Sequence, residues 1–219
     1  MGIMEYIVKY VDTAKMRVPI FTVDIFEYVE KHIPGVRKDI VNAYITRYAK
    51  SNPEFVRYQK GIYFKTVTTP FGKAPINYTE LVRRTYISDG DEVFGYETGP
   101  SYMNKIGLTT QMSAQTYIAT ERTRATIVQR DKNIQLLAPI TDITKSNYRY
   151  LQFLDILDNR MKIAIEADNV HEILRAYIDK YRLNFETLLY YANYYKNNRL
   201  YGRIAELARG GYRSETTSG

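Results

Sequence analysis

The stretch PGVRKDIVNAYITRYAKSNPEFVRYQKGIYFK, residues 34–65, decides how this chain is read. Its first half has helical spacing. Ile40, Tyr44 and Tyr48 recur every fourth position with Val41 beside them, which predicts one buried stripe ending near Ser51. At about 100° per residue, Lys38, Asn42, Thr46 and Ala49 fall on the opposite side, a mixture of cationic and hydrogen-bonding groups with small residues. The second half changes period. Phe55-Val56-Arg57-Tyr58 and Ile62-Tyr63-Phe64-Lys65 are rich in aromatic and branched residues, and between them Gly61 supplies a turn position open to positive φ, so a hairpin is expected around Gln59-Lys60-Gly61. Upstream, Ile3, Ile7, Tyr10 and Val11 mark one helix. Val23, Phe26, Tyr28 and Val29 mark a second, started by Thr22 or Asp24 as cap and stopped near Pro34-Gly35. Three helices followed by a hairpin predict a winged helix-turn-helix over residues 1–68, in which the third helix enters a major groove of DNA.

The expected DNA contacts are Lys38, Asn42, Thr46 and Arg47 in the helix and Arg57, Lys60 and Lys65 in the wing. Asparagine bonds an adenine edge with two hydrogen bonds, threonine bonds a base or a phosphate, and lysine and arginine near helix ends and wings grip phosphate. Residues 1–73 hold 12 Lys and Arg against 7 Asp and Glu, a net of +5, while the rest hold 19 against 17, a net of +2; most of the overall +7 therefore sits on this segment. Positive charge speeds encounter with DNA and gives a salt-dependent affinity without selecting a sequence. The same three-helix pattern also occurs in modules that touch only proteins, and each lone cation is equally a solvated surface residue.

With 219 residues, 45% of them hydrophobic, the chain can bury a sizeable core and divides most naturally into a small domain and a larger one. No apolar run approaches the roughly 20 residues of a membrane span, and the beginning lacks the pattern of a signal peptide. The absence of Cys excludes disulfides and thiolate metal sites, including zinc fingers, and fits the cytoplasm. Aromatic packing falls to 22 Tyr and 8 Phe, since Trp is absent.

Beyond the hairpin, Thr66-Val67-Thr68-Thr69-Pro70-Phe71-Gly72-Lys73-Ala74-Pro75 predicts a linker, placing a second domain over 76–209. A helix is expected from about Asn77 to Ser88 and a strand at Val93-Phe94-Gly95-Tyr96. A short helix over Ser101 to Ile106 should follow, bracketed by Pro100 and Gly107. Strands are expected at Gln115 to Ala119, Thr126 to Gln129 and Ile134 to Leu137, the last two joined by Arg130-Asp131-Lys132-Asn133. From Ser146 the spacing turns helical, through Tyr150 to Leu157, Val170 to Ile178, Phe185 to Ala192 and Leu200 to Leu207, with Asp168 and Asn184 as caps. Residues 210–219 have little to bury and are expected to be disordered. The fold class is α+β: a winged helix-turn-helix, then a mixed α/β domain with a helical end.

The block Gly95-Tyr96-Glu97-Thr98-Gly99-Pro100-Ser101-Tyr102-Met103-Asn104-Lys105-Ile106-Gly107-Leu108-Thr109-Thr110-Gln111-Met112, leading to Tyr117-Ile118-Ala119-Thr120, resembles the central signature of AbiEi-type abortive-infection antitoxins. The order of a reader, the wing Arg57-Tyr58-Gln59-Lys60-Gly61-Ile62-Tyr63-Phe64, this block and a helical end resembles that family over roughly residues 3–208. The resemblance implies a transcriptional repressor of its own toxin–antitoxin operon, acting in phage defence beside a nucleotidyltransferase-like toxin. It further implies that the C-terminal part contributes to neutralisation, and the family's type IV label that no stable complex with the toxin is needed. The third helix departs from the family in carrying Tyr44 and Tyr48 where leucines are common, so no operator sequence carries over. A palindromic operator would require two readers, from a homodimer or from cooperative binding.

Within the block, Asn104, Lys105, Thr109, Thr110 and Gln111 are the candidate partner surface, for the toxin or its RNA or nucleotide substrates, while Gly95, Gly99 and Gly107 read as structural. Gly99-Pro100-Ser101 presents a helix start without the lysine of a phosphate loop. Asp89-Gly90-Asp91 has two carboxylates suited to a shared divalent metal, but Ser88-Asp89-Gly90-Asp91 also reads as a turn. Glu166, Asp168, His171 and Glu172 read as a helix start, and His32 and His171 stand without a nucleophile. The expectation is a protein that is not an enzyme and needs no cofactor or metal. The alternatives are a protein-interaction module that binds the toxin or another protein, and a nucleotide-handling enzyme resting on Asp89 and Asp91.

Overall fold

The computed structural model describes residues 2–123, 127–129, 133–159 and 161–210. They form two compact units, Met1–Arg83 and Arg84–Gly219, both built of helices and small sheets.

The first unit opens with α1 (Ile3–Thr13), β1 (Pro19–Phe21), α2 (Thr22–His32) and α3 (Lys38–Ser51), followed by β2 (Phe55–Gln59) and β3 (Ile62–Lys65). The helices meet through Ile7 and Val11 of α1, Ile25 and Val29 of α2, and Val41 and Ile45 of α3, all at or near zero exposure. Each pair is four apart in sequence, so each helix turns one ridge inward. Two expectations are corrected here. Ile25 takes the place assigned to Val23, which is exposed, and the cap position of α2 is held by Phe21 rather than by Thr22 or Asp24.

Strand order is β1-β3-β2, with β3 antiparallel to both neighbours. Successive side chains of a strand point to opposite faces, yet Ile62, Tyr63 and Phe64 are all buried, so both faces of this sheet are covered. Tyr63 joins the helical core, where it stacks on Phe55 at 5.0 Å, and Ile62 and Phe64 pack with Ile76 and Leu81. Those last two residues, one just before α4 (Tyr78–Val82) and one within it, were expected to open the second domain. Burying each is worth about 1.5–3 kcal/mol, enough to hold this segment on the sheet. The linker expected at Thr66–Pro75 is instead a hairpin of β4 (Thr68–Thr69) and β5 (Gly72–Lys73), anchored where buried Thr66 donates to the Ala74 carbonyl at 2.7 Å. The boundary accordingly falls after Arg83, not between 68 and 76. A π-helical turn, Arg83–Ile87, replaces the second half of the helix expected to run to Ser88.

The second unit begins with the hairpin of β6 (Ser88–Asp89) and β7 (Glu92–Val93). Its main sheet has the order β10-β11-β9-β8, from β8 (Gly95–Thr98), β9 (Thr116–Thr120), β10 (Ile127–Gln129) and β11 (Ile134–Leu137). The β9 and β11 strands run parallel and the other neighbours antiparallel. The expected turn at Arg130-Asp131-Lys132 lies outside the described residues, as do the expected start of β10 at Thr126 and the tail 211–219.

Helices α5 (Gly99–Lys105), α6 (Tyr148–Asp158), α7 (Val170–Tyr181), α8 (Phe185–Ala192) and α9 (Arg199–Arg209) supply the rest. Their inward residues, including Phe153, Leu154, Leu174, Leu188, Leu200 and Ile204, form one continuous core. Asn184 caps α8 as expected, accepting from the Thr187 amide at 2.7 Å, whereas α7 starts after Asn169 with no side-chain cap from Asp168.

Candidate nucleic-acid interface

Helix α3 sets the candidate surface. Its inward ridge is Val41 and Ile45, while Ile40 is 39% exposed and Tyr44 and Tyr48 are half-buried. The stripe expected from Ile40, Tyr44 and Tyr48 is therefore turned by a little under one residue's step of about 100°. The outward face carries Asp39, Ala43, Thr46, Arg47 and Lys50. Ala43 and Lys50 were missed; Ile45, spaced four from Val41, was the signal that points to them.

The expected contacts do not all share one environment. Thr46 is exposed, with its hydroxyl donating to the Asn42 carbonyl at 2.9 Å and its lone pairs open. Arg47 is exposed, its guanidinium 5.3 Å from the Tyr44 ring centroid. Lys38 is exposed at the start of the helix, its ammonium 5.6 Å from the Phe26 ring. Asn42, expected to point outward, flanks the buried ridge: it is half-buried, and its Oδ1 is buried without a hydrogen-bond partner. Such an acceptor costs about 1–3 kcal/mol. Beside Lys38, Arg37 grips Asp39 through two bonds of 3.1 and 2.7 Å, and these bonds hold the Asp39 carboxyl below its usual range.

The β2–β3 hairpin turns through Lys60 and Gly61, with Gly61 at φ +80°. Register shifts between Arg57 and Gln59, a bulge that increases the local twist. Residues Arg57, Tyr58, Gln59 and Lys60 are all exposed, and the Arg57 Nε makes only a long bond to the Gln59 carbonyl, 3.4 Å. Lys65 differs: half-buried, its ammonium donates to the Asp12 carbonyl at 3.0 Å. It is part of the frame.

The second candidate surface is largely committed internally. Asn104 donates to the Thr109 carbonyl at 3.1 Å, Lys105 pairs with Glu97 at 3.0 Å, and Thr109 is buried rather than exposed. The Thr110 hydroxyl and amide both donate to Glu166, whose carboxyl these bonds hold below its usual range. Gln111 is exposed. Asp89 and Asp91 lie at a hairpin turn and each has a cation of its own, Arg84 at 2.8 Å and Lys145 at 2.6 Å. Among the described residues, no group of three or more His, Asp or Glu side chains is placed to hold a metal ion, and no helix is long and apolar enough to cross a membrane.

No family model matches this chain, and comparisons with curated proteins and with solved structures give no match either.

Proposed function

We propose that the first unit is a winged helix-turn-helix that binds duplex DNA, with α3 in the major groove and the β2–β3 hairpin as the wing. The observation that carries this reading is the outward face of α3, where small and polar Ala43 and Thr46 are exposed beside cationic Arg47 and Lys50, in a unit whose hairpin exposes Arg57 and Lys60. A small residue lets backbone approach base edges, and the flanking cations meet phosphates. The order β1-β3-β2, in which β1 between the first two helices pairs with the hairpin, supports the winged-helix reading. Together with the resemblance of residues 95–120 to AbiEi-type antitoxins, this supports a repressor of its own operon that counteracts a nucleotidyltransferase-like toxin through the second unit.

The test is binding of the full chain to the DNA upstream of its own reading frame, across a salt series and against random competitor. The reading expects preference for the upstream duplex and an affinity that falls steeply with salt. A second reading, a protein-docking module, draws on the exposure of Ile40 and Val23 at 39% and 38%. Absence of salt-dependent DNA binding, with retained binding to the toxin, would favour it.

A further inference from the structure

The second unit holds a cavity of about 680 Å³ walled by residues of β8, α5, α6 and α7, a size that suits a small organic molecule. Arg149 sets its chemistry. The guanidinium carbon lies 4.0 Å from the ring centroid of Tyr181 and 4.6 Å from that of Tyr148. Nη1 donates to the Gln152 Oε1 at 2.7 Å, and Nε is buried with no hydrogen-bond partner. Gln152 is itself held: the same oxygen accepts from the Tyr177 hydroxyl at 2.7 Å, and its amide donates to the Glu97 carbonyl at 2.6 Å. The arginine is thus oriented by its neighbours in advance of any ligand.

No anion answers that charge. Among the described residues, no carboxylate stands within ion-pair distance of Arg149. Nor do the neighbouring phenols, because burial pushes those of Tyr102 and Tyr177 above their ordinary value and keeps them neutral. Lys105 is matched by Glu97 at 3.0 Å. Lys180, whose ammonium lies 5.3 Å from the Tyr181 ring, is exposed and has no carboxylate partner among the described residues. Two cations are left over at one cavity whose remaining wall includes Ile87, Ile106 and Ile173. A partly buried charge is costly until it is paired.

We propose that this cavity binds a phosphate monoester carried on a flat, uncharged body, with a nucleoside monophosphate as its representative. A phosphate monoester carries close to two negative charges at neutral pH, matching Arg149 and Lys180 together, where a carboxylate would match only one. The planar guanidinium suits a two-point grip on phosphate oxygens, and the tyrosine and isoleucine wall takes the base. This site is independent of the DNA reading, since every residue in it belongs to the second unit.

Calorimetric titration of the full chain with AMP, adenosine, inorganic phosphate and benzoate tests it. AMP should fill one site, with adenosine and phosphate each at least about tenfold weaker, a difference of about 1.4 kcal/mol. Arg149→Lys and Lys180→Gln should each weaken AMP by about tenfold, and Arg47→Ala in the first unit should leave it unchanged. Lys180 is exposed, so its variant decides the matter if Arg149→Lys lowers the melting temperature. No saturation by AMP at about 1 mM, or AMP binding indifferent to Lys180→Gln, overturns the proposal. Benzoate binding more tightly than AMP overturns the choice of phosphate.

Discussion

The ammonium of Lys65, at the end of β3, donates to the carbonyl of Asp12 in the last turn of α1, 3.0 Å away. A helix C-terminus has unpaired carbonyls and a negative partial charge, so this contact ties the sheet to the first helix. Lys60, five residues earlier at the hairpin turn, is exposed and has no partner among the described residues. The two lysines should therefore separate frame from interface. Lys65→Ala is expected to lower unfolding stability by about 0.5–1.5 kcal/mol with DNA affinity intact. Lys60→Ala should leave the urea midpoint unchanged, weaken all DNA alike and reduce the salt slope by about 1. Swapped behaviour of the two variants would remove the hairpin from the interface.

The inward ridge of α3 gives a second contrast. Ile45 is fully buried, so Ile45→Ala should cost about 2–5 kcal/mol of stability by emptying space in the core. Asn42→Ala deletes a buried, unpartnered acceptor, and stability should stay level or rise by about 1 kcal/mol. On DNA, Arg47→Ala should weaken the preferred duplex by about 1–3 kcal/mol, more than Asn42→Ala does. Anisotropy titrations that rank Asn42 above Arg47 would return the base-reading face to the flank of the helix.

Glu166 supplies a pH signature. Its carboxylate accepts from the Thr110 amide at 2.8 Å and from the Thr110 and Thr109 hydroxyls, and the Thr110 bonds lead in lowering its pKa. A group whose pKa is depressed by folding adds stability above its unfolded value, about 4.3 for Glu, and that stability is lost as pH falls through the folded value. The wild type should lose this part of its stability on the acid side, and Glu166→Gln should flatten the loss. Equal acid-side slopes in thermal melts of the two proteins would deny the carboxylate this role.

What was legible in the sequence divides by range of interaction. The hairpin at 55–65 and helices α6 to α9 follow from local spacing, and they form where that spacing put them. Local spacing could not choose between two overlapping ridges of α3, because Ile40-Tyr44-Tyr48 and Val41-Ile45 both repeat every fourth residue. Tyrosine resolves the tie by packing its ring and leaving its hydroxyl available, as Tyr48 does in accepting from Asn52 at 2.9 Å. The short β1 was invisible because it exists only through pairing with β3, and the domain boundary was set too early because Ile76 and Leu81 find their partners on the far face of a sheet. The Arg149 environment was hidden for the same reason: Glu97, Gln152 and Tyr177 meet only in the folded unit.

Gly95, at the start of β8, gives the sharpest test of the second unit. A Cβ there would lie 2.0 Å from the Tyr86 carbonyl oxygen and 2.9 Å from that of Ala119, both main-chain atoms that no side-chain rotation can move aside. The Ala119 partner belongs to β9, where Tyr96 and Gly95 are in register with Ala119 and Thr120, so relief requires the β8–β9 pairing to open. Gly107 is a milder case: it ends α5 at φ +83°, and a Cβ would meet nothing nearer than 3.9 Å. Gly107→Ala should cost about 1–2 kcal/mol, the penalty of a left-handed conformation. Gly95→Ala should exceed the roughly 1–3 kcal/mol of ordinary overpacking and lower the melting temperature further than Gly107→Ala does. If Gly95→Ala melts with the wild type, the close approach of Tyr86 to β8 is not a feature of the folded protein.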